Sequence, residues 1–169
     1  GMKLKEILDK TQAFFRDKGI ESARLDAELL LAHGLKVERI RLYIDFDRPL
    51  GEDEISVCRE LVRRRAQGEP VAYIVGAKDF FGQTFAVGPG VLIPRPETEH
   101  LVEGALNAIQ PEDAVLVADL GCGSGCVGLS VLKERPNARL IAMDLSAVAL
   151  SFTRANAERL GVADRVTII

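Results

Sequence analysis

The sequence is short of nearly everything that staples or anchors a chain. Its three cysteines, Cys58, Cys122 and Cys126, are an odd number, and no secretory signal precedes them. A full disulfide framework is therefore excluded, and a reducing, cytoplasmic setting is expected. Cys122 and Cys126 lie four apart, but the only histidines, His33 and His100, are distant in sequence, so no metal site is expected. No apolar run approaches the roughly 18 residues of a membrane-spanning helix. Positive charge is not in excess: 22 Lys and Arg face 25 Asp and Glu, a net charge of −3. That balance argues against wrapping on nucleic-acid phosphate by bulk charge. Internal repeats and low-complexity segments are missing, and Gly1 before Met2 reads as a remnant of tag removal.

What is present is an ordinary globular composition, 47% hydrophobic and 28% charged over 169 residues, enough to bury a core. Residues 1–75 carry 14 basic and 14 acidic side chains, whereas residues 76–169 carry 8 and 11, so the acidity belongs to the second half. The densest basic run, Arg63-Arg64-Arg65, falls in a helical pattern. It reads as a solvated helix face, with a contact to RNA or an acidic partner as the alternative.

Hydrophobic periodicity divides the chain. Leu4, Ile7, Leu8, Thr11, Phe14 and Phe15 predict a helix closed by Gly19, and Leu25, Leu29 and Leu30 a second one from Ser22 to Gly34. A third is expected over residues 37–44, ahead of Pro49, and a fourth carries Ile55, Cys58, Leu61 and Val62 to Gly68. Pro70 opens a short fifth. The pattern changes near Lys78, where DFFGQTFAVGPGVLI reads as a β-hairpin or two short strands. Phe80 and Phe81 read as core, with the border of a substrate channel as the alternative. Pro96 then starts a helix, after which strands at AVLVADL, ARLIAMD and RVTII alternate with helices. That alternation predicts a parallel sheet with right-handed crossovers. The fold class expected is α/β: a small helical bundle over 2–76, a β-hairpin linker over 77–95, and over 96–169 the first half of a Rossmann-like sheet, expected to be incomplete at its C-terminus.

The chemistry concentrates in VADLGCGSGCVGLSV, residues 117–131. A strand enters, glycines follow, and a helix leaves, so backbone N–H groups and open space meet at one turn. A dinucleotide fingerprint expects Gly-x-Gly-x-x-Gly/Ala, but Cys126 holds the third place and Asp119 stands two residues ahead of Gly121. A carboxylate there repels a pyrophosphate and suits a ligand with an ammonium group. S-adenosylmethionine is such a ligand, and Asp144, at the end of the next strand, is placed to accept both ribose hydroxyls. Asp119, Gly121, Cys122, Gly123, Ser124, Gly125 and Asp144 are the cofactor-binding candidates. A nicotinamide-dependent dehydrogenase is the competing reading of the turn, and Asp119 and Cys126 count against it.

VADLGCGSG followed by IAMDLS resembles the motifs of class I adenosylmethionine-dependent methyltransferases. IPRPETEHLVE (93–103), LDAELLLAHGL and QGEPVAYIVGAKDFFG are similar to the corresponding segments of the HemK/PrmC family across essentially the whole chain. The resemblance implies methylation of the glutamine nitrogen in the Gly-Gly-Gln motif of a class 1 peptide-chain release factor. It also implies a helical domain that docks that protein, with no membrane or direct nucleic-acid partner. Glutamine methylation of a ribosomal protein ranks second. The family's Asn-Pro-Pro-Tyr signature is expected beyond Ile169, so no catalytic residue is assigned and residues 1–169 alone are expected to be inactive. A non-catalytic binding fragment is the reading that this expectation leaves open. For Arg95, Thr98 and Glu99 two roles are compatible with the sequence: walls of the cofactor pocket, or a helix start in which Arg95 pairs with Glu97 or Glu99. His33 and His100 read as structural.

Overall fold

The computed structural model describes residues 1–169, which form two compact units, Gly1–Val75 and Gly76–Ile169. The first is all helical: α1 (Leu4–Asp17), α2 (Ala23–Leu35), α3 (Arg41–Ile44), α4 (Glu52–Ala66) and α5 (Val71–Val75). Its core joins Leu4, Leu8, Phe15, Leu30, Leu31 and Leu42, all almost fully buried. α1 follows the expected stripe, although Phe14 is largely exposed while Phe15 is fully buried.

α2 departs from the sequence reading in two ways. Leu25 is exposed and the buried face is Ala23, Ala27, Leu30, Leu31 and Leu35. Gly34 does not end the helix; Lys36 does, in the left-handed conformation at φ 57°. Gly34 is there for space, since a Cβ would lie 3.0 Å from Leu61 and 3.2 Å from Cys58 of α4. α3 is only one turn, because residues 37–40 form turns rather than helix.

The arginine run is neutralised locally rather than left as a basic face. Arg63 pairs with Glu60, Arg64 with Glu69, and Arg65 reaches the buried Asp26 of α2 at 2.8 Å. A second buried acid, Glu28, accepts from Arg24, Arg39 and Tyr43. Burial opposes its charge, but these donors prevail and hold its carboxyl below the usual range.

In the second unit, β1 (Ala77–Phe80) and β2 (Gln83–Ala86) form an antiparallel hairpin. Its two-residue turn has Phe81 at φ 46° and Gly82 at φ 73°, the pair of positive angles that suits the twist of the strands. Phe80 and Phe85 meet edge to face and join the core of this unit. After a single 3-10 turn, Pro96–Thr98, come α6 (Glu99–Ala108), β3 (Leu116–Leu120), α7 (Cys126–Glu134), β4 (Arg139–Met143), α8 (Ala147–Arg159) and β5 (Val166–Ile168).

The three later strands are parallel in the order β3-β4-β5. Because this order advances in one direction, right-handed crossovers set α7 and α8 on the same face. Leu140 and Ala142 of β4 are buried there, whereas Leu116 and Leu120 on the opposite face of β3 are exposed. Val117 and Asp119 are level with Leu140 and Ala142, so the acid points toward the start of α7. No helix is long and apolar enough to cross a membrane.

Candidate functional site

The turn between β3 and α7 is built from three left-handed glycines, Gly121 at φ 70°, Gly123 at φ 57° and Gly125 at φ 83°. An L side chain is strained in that region, which accounts for the spacing Gly-x-Gly-x-Gly. The backbone is pinned from the neighbouring strand: Gly121 N and Cys122 N both donate to Met143 O, at 2.8 and 2.9 Å. Gly125 N closes the turn on Cys122 O at 2.8 Å.

The two candidate acids flank this turn. Asp144 follows β4; its Oδ2 accepts from Gly123 N at 3.0 Å and its Oδ1 from Ser146 N at 2.9 Å. Backbone donors, first Ser146 and then Gly123, hold its carboxyl below the usual range, so it is ionised at neutral pH. Each oxygen still has a lone pair to offer. Asp119 accepts from Gly128 N of α7 at 3.2 Å through Oδ2. Burial raises its pKa, the Gly128 bond opposes the rise, and the Asp144 charge adds to it. A half-buried carboxylate with a second negative charge in its neighbourhood is an arrangement that a cation relieves.

An open concavity of ≈ 600 Å³ adjoins the turn, lined by Leu120, Gly121, Met143, Asp144, Leu145 and Ile169. At Gly121 a Cβ would meet nothing within 4 Å, so the space beside the backbone is free. An acceptor-only carboxylate beside an apolar wall fits a ribose carrying a flat base. The residues present therefore fit S-adenosylmethionine through Asp144 and the Gly121 backbone, which line the concavity; Asp119, on the opposite face of β3 from Leu120, does not line it.

Cys122, Ser124 and Gly125 are buried within the turn. Burial pushes the thiols of Cys122 and Cys126 up, which disfavours their thiolate forms. Arg95, Thr98 and Glu99 are not among the residues lining the concavity. Arg95 pairs with Glu97 at 2.7 Å, Thr98 ends the 3-10 turn, and Glu99 accepts from Phe81 N in the hairpin turn. His100 sits beside Glu103 on the surface, and no cluster of His, Cys, Asp or Glu is arranged to hold a metal ion.

Sequence reasoning missed Thr153 and Asn156, two fully buried polar residues of α8 that bond to turn carbonyls. Their signal was the spacing Ala149, Thr153, Asn156, Ala157, a buried helical stripe with polar members.

A parallel sheet with a glycine turn held between two strand-end acids is the architecture of a nucleotide-side methyltransferase core. Residues 100–169 match the methyltransferase small domain family, and residues 6–76 match the PrmC N-terminal domain. The release factor glutamine methyltransferase of Geobacter sulfurreducens is 43% identical over 165 residues, covering 98% of this chain and 57% of that one. The same enzyme of Rhodopirellula baltica is 44% identical over 96% of this chain and 56% of its own. That of Nitratidesulfovibrio vulgaris is 47% identical over 89% of this chain and 50% of its own. The chain belongs to the HemK/PrmC family. It spans about half the length of the curated relatives it matches.

Proposed function

We propose that the protein carrying this sequence is an S-adenosylmethionine-dependent methyltransferase acting on the side-chain amide nitrogen of the Gly-Gly-Gln glutamine in a class 1 peptide-chain release factor. The cofactor reading is carried by one observation: a turn of three left-handed glycines whose central N–H is held by the ionised Asp144. The substrate reading draws its support from the names of the relatives.

When bound, the cofactor would supply an electrophilic methyl group on a sulfonium; its transfer to the amide nitrogen would break the carbon–sulfur bond, release S-adenosylhomocysteine and give up one amide proton to solvent. An amide nitrogen is a poor nucleophile, so the protein's contribution is placement of both partners. Within these residues, Asp144 orients the ribose, Asp119 offsets the positive charge, and the glycine turn lets the backbone approach without a side chain between. None of the 169 residues is assigned to grip the glutamine amide. That role falls to an Asn-Pro-Pro-Tyr loop, as in the family that the sequence resembles.

Residues 1–75 are proposed as the domain that docks the protein substrate. Their equal numbers of acidic and basic groups, and the carboxylate partners of Arg63, Arg64 and Arg65, favour a protein partner over nucleic acid. Three free, buried cysteines support a reducing, cytoplasmic setting.

The test is methyl transfer from labelled S-adenosylmethionine by the protein expressed from its full reading frame. Intact release factor should be labelled, its Gly-Gly-Gln glutamine-to-alanine variant should not, and ribosomal proteins should remain unlabelled. Labelling of a ribosomal protein in place of the release factor would overturn the substrate assignment.

A further inference from the structure

Asn156 ties the glycine turn to the hairpin with both ends of its amide. Its Oδ1 accepts from Ala86 N at 2.7 Å, while Nδ2 donates to Ala86 O at 3.1 Å and to Ser124 O at 2.8 Å. One helical turn earlier, Thr153 donates from Oγ1 to Gly123 O at 2.8 Å. Its hydroxyl also lies 3.3 Å from Cys122 Sγ. Two consecutive carbonyls of the turn are thus drawn to one helix.

That attachment fixes more than two oxygens. In a planar trans peptide the C=O and N–H point in opposite directions. Holding the Gly123 and Ser124 carbonyls against α8 therefore directs the N–H groups of Ser124 and Gly125 away from it. The Gly125 N–H is given to Cys122 O, which closes the turn in that shape.

Asparagine is the side chain these partners require. One planar group must accept once and donate twice, to partners on two chain segments. Aspartate lacks the donors and leucine lacks both, so either leaves buried backbone groups unpaired. The same helix also meets the chain just after β2. At Gly88 a Cβ would lie 2.8 Å from the tip of the Phe152 ring, so this glycine leaves the space that the α8 ring occupies.

We propose that Asn156, with Thr153, is a positioning residue for cofactor binding: it acts through the turn, holding the ligand-receiving shape and locking that shape to the end of the hairpin at Ala86. This rests on the cofactor reading given above. Neither side chain contacts the cofactor.

The test compares Asn156→Leu and Thr153→Val with Val102→Ala, all in the protein expressed from its full reading frame. Val102 is fully buried on α6, so its truncation loosens the same unit while sparing the turn's hydrogen bonds. Asn156→Leu is expected to raise the Kd for S-adenosylhomocysteine about tenfold or more, the effect of one buried carbonyl left unpaired. It should also shift the amide resonances of Ser124 and Gly125 in the ligand-free protein. Thr153→Val, nearly isosteric and expected to fold, should shift the Ser124 amide and weaken binding by a smaller factor. Val102→Ala should leave affinity and these resonances near those of the unaltered protein.

If the two α8 variants bind as well as Val102→Ala does, or leave the turn's amide resonances in place, the proposal is overturned. Absence of S-adenosylhomocysteine binding by the unaltered protein would overturn the cofactor reading instead, and with it the ligand-binding part of the proposal. The amide resonances would then still decide whether the two side chains shape the turn.

Discussion

Asp119→Asn is expected to make the second unit more stable and a poorer binder at once. The carboxylate accepts from Gly128 N at 3.2 Å, a bond that an amide oxygen can retain. What the substitution removes is a negative charge opposed by burial and by the neighbouring Asp144. Because the native pKa is raised, the folded chain takes up this proton before the unfolded one as the pH falls. Ionised Asp119 therefore costs stability at neutral pH, and that cost fades as the pH drops through the raised native value. Relieving one unfavourable charge with an amide of the same shape yields about 1 kcal/mol. Affinity moves the other way, since a charged hydrogen bond to an ammonium contributes about 1.5–3 kcal/mol. The expected loss in S-adenosylmethionine affinity is thus about tenfold or more.

The assay must see the correct unit. The sequence has no tryptophan, and both tyrosines, Tyr43 and Tyr73, lie in the first unit. These two tyrosines therefore report the other unit's transition, whereas hydrogen exchange of the α7 and β4 amides reads the right one. Calorimetry supplies the affinity. Loss of stability and affinity together would reduce Asp119 to a cap on α7, and an unchanged affinity would remove it from the site.

Asp144→Ala should weaken S-adenosylmethionine binding by about 2–3 kcal/mol, measured by calorimetry, because charged hydrogen bonds to the ribose are lost. Because Asp144 has a lowered native pKa, the stability it contributes is present above its unfolded pKa and is lost as the pH falls through the native one. An acid titration of Asp144→Asn should show a shallower loss over that range. Gly121→Ala and Gly125→Ala share the strain of positive φ, about 1–2 kcal/mol. Only Gly125→Ala adds a clash, since its Cβ would lie 2.8 Å from Leu129, so urea unfolding should find it the more damaging of the two. Removing residues 1–75 should raise KM for intact release factor far more than for a short glutamine peptide; equal losses would refute the docking role.

The glycine turn and its two acids were legible in the sequence because they lie where a strand meets a helix. There, residue type alone sets the backbone angles and the charge. The β3-β4-β5 sheet was legible for a similar reason, through clear alternation of strand and helix patterns. Elements shaped by close packing were not. Gly34 looks like a helix terminus, yet it is an interhelical contact point against Leu61, and Lys36 takes the left-handed position. Leu25 fits a helical stripe but faces solvent, because Ala23 and Ala27 fill the space against the neighbouring helices. Glu99 has the charge and position of a pocket wall, but its carboxylate goes to the Phe81 N–H across the hairpin turn. No local pattern reveals such a long-range partner. Asn156 is the sharpest case: a polar residue in a buried stripe reads as a defect until Ala86 and Ser124 are placed around it.

The proposed function turns on one claim, that the turn from Gly121 to Gly125, with Asp144, receives S-adenosylmethionine. This is tested most directly by following the backbone amide resonances of the protein expressed from its full reading frame during titration with S-adenosylmethionine and, separately, with NAD. Saturable shifts, one site per chain, are expected at Gly121, Gly123, Ser124 and the residues beside Asp144, and none with NAD. Saturable shifts with NAD at that turn, or S-adenosylmethionine shifts confined to other residues, would contradict it.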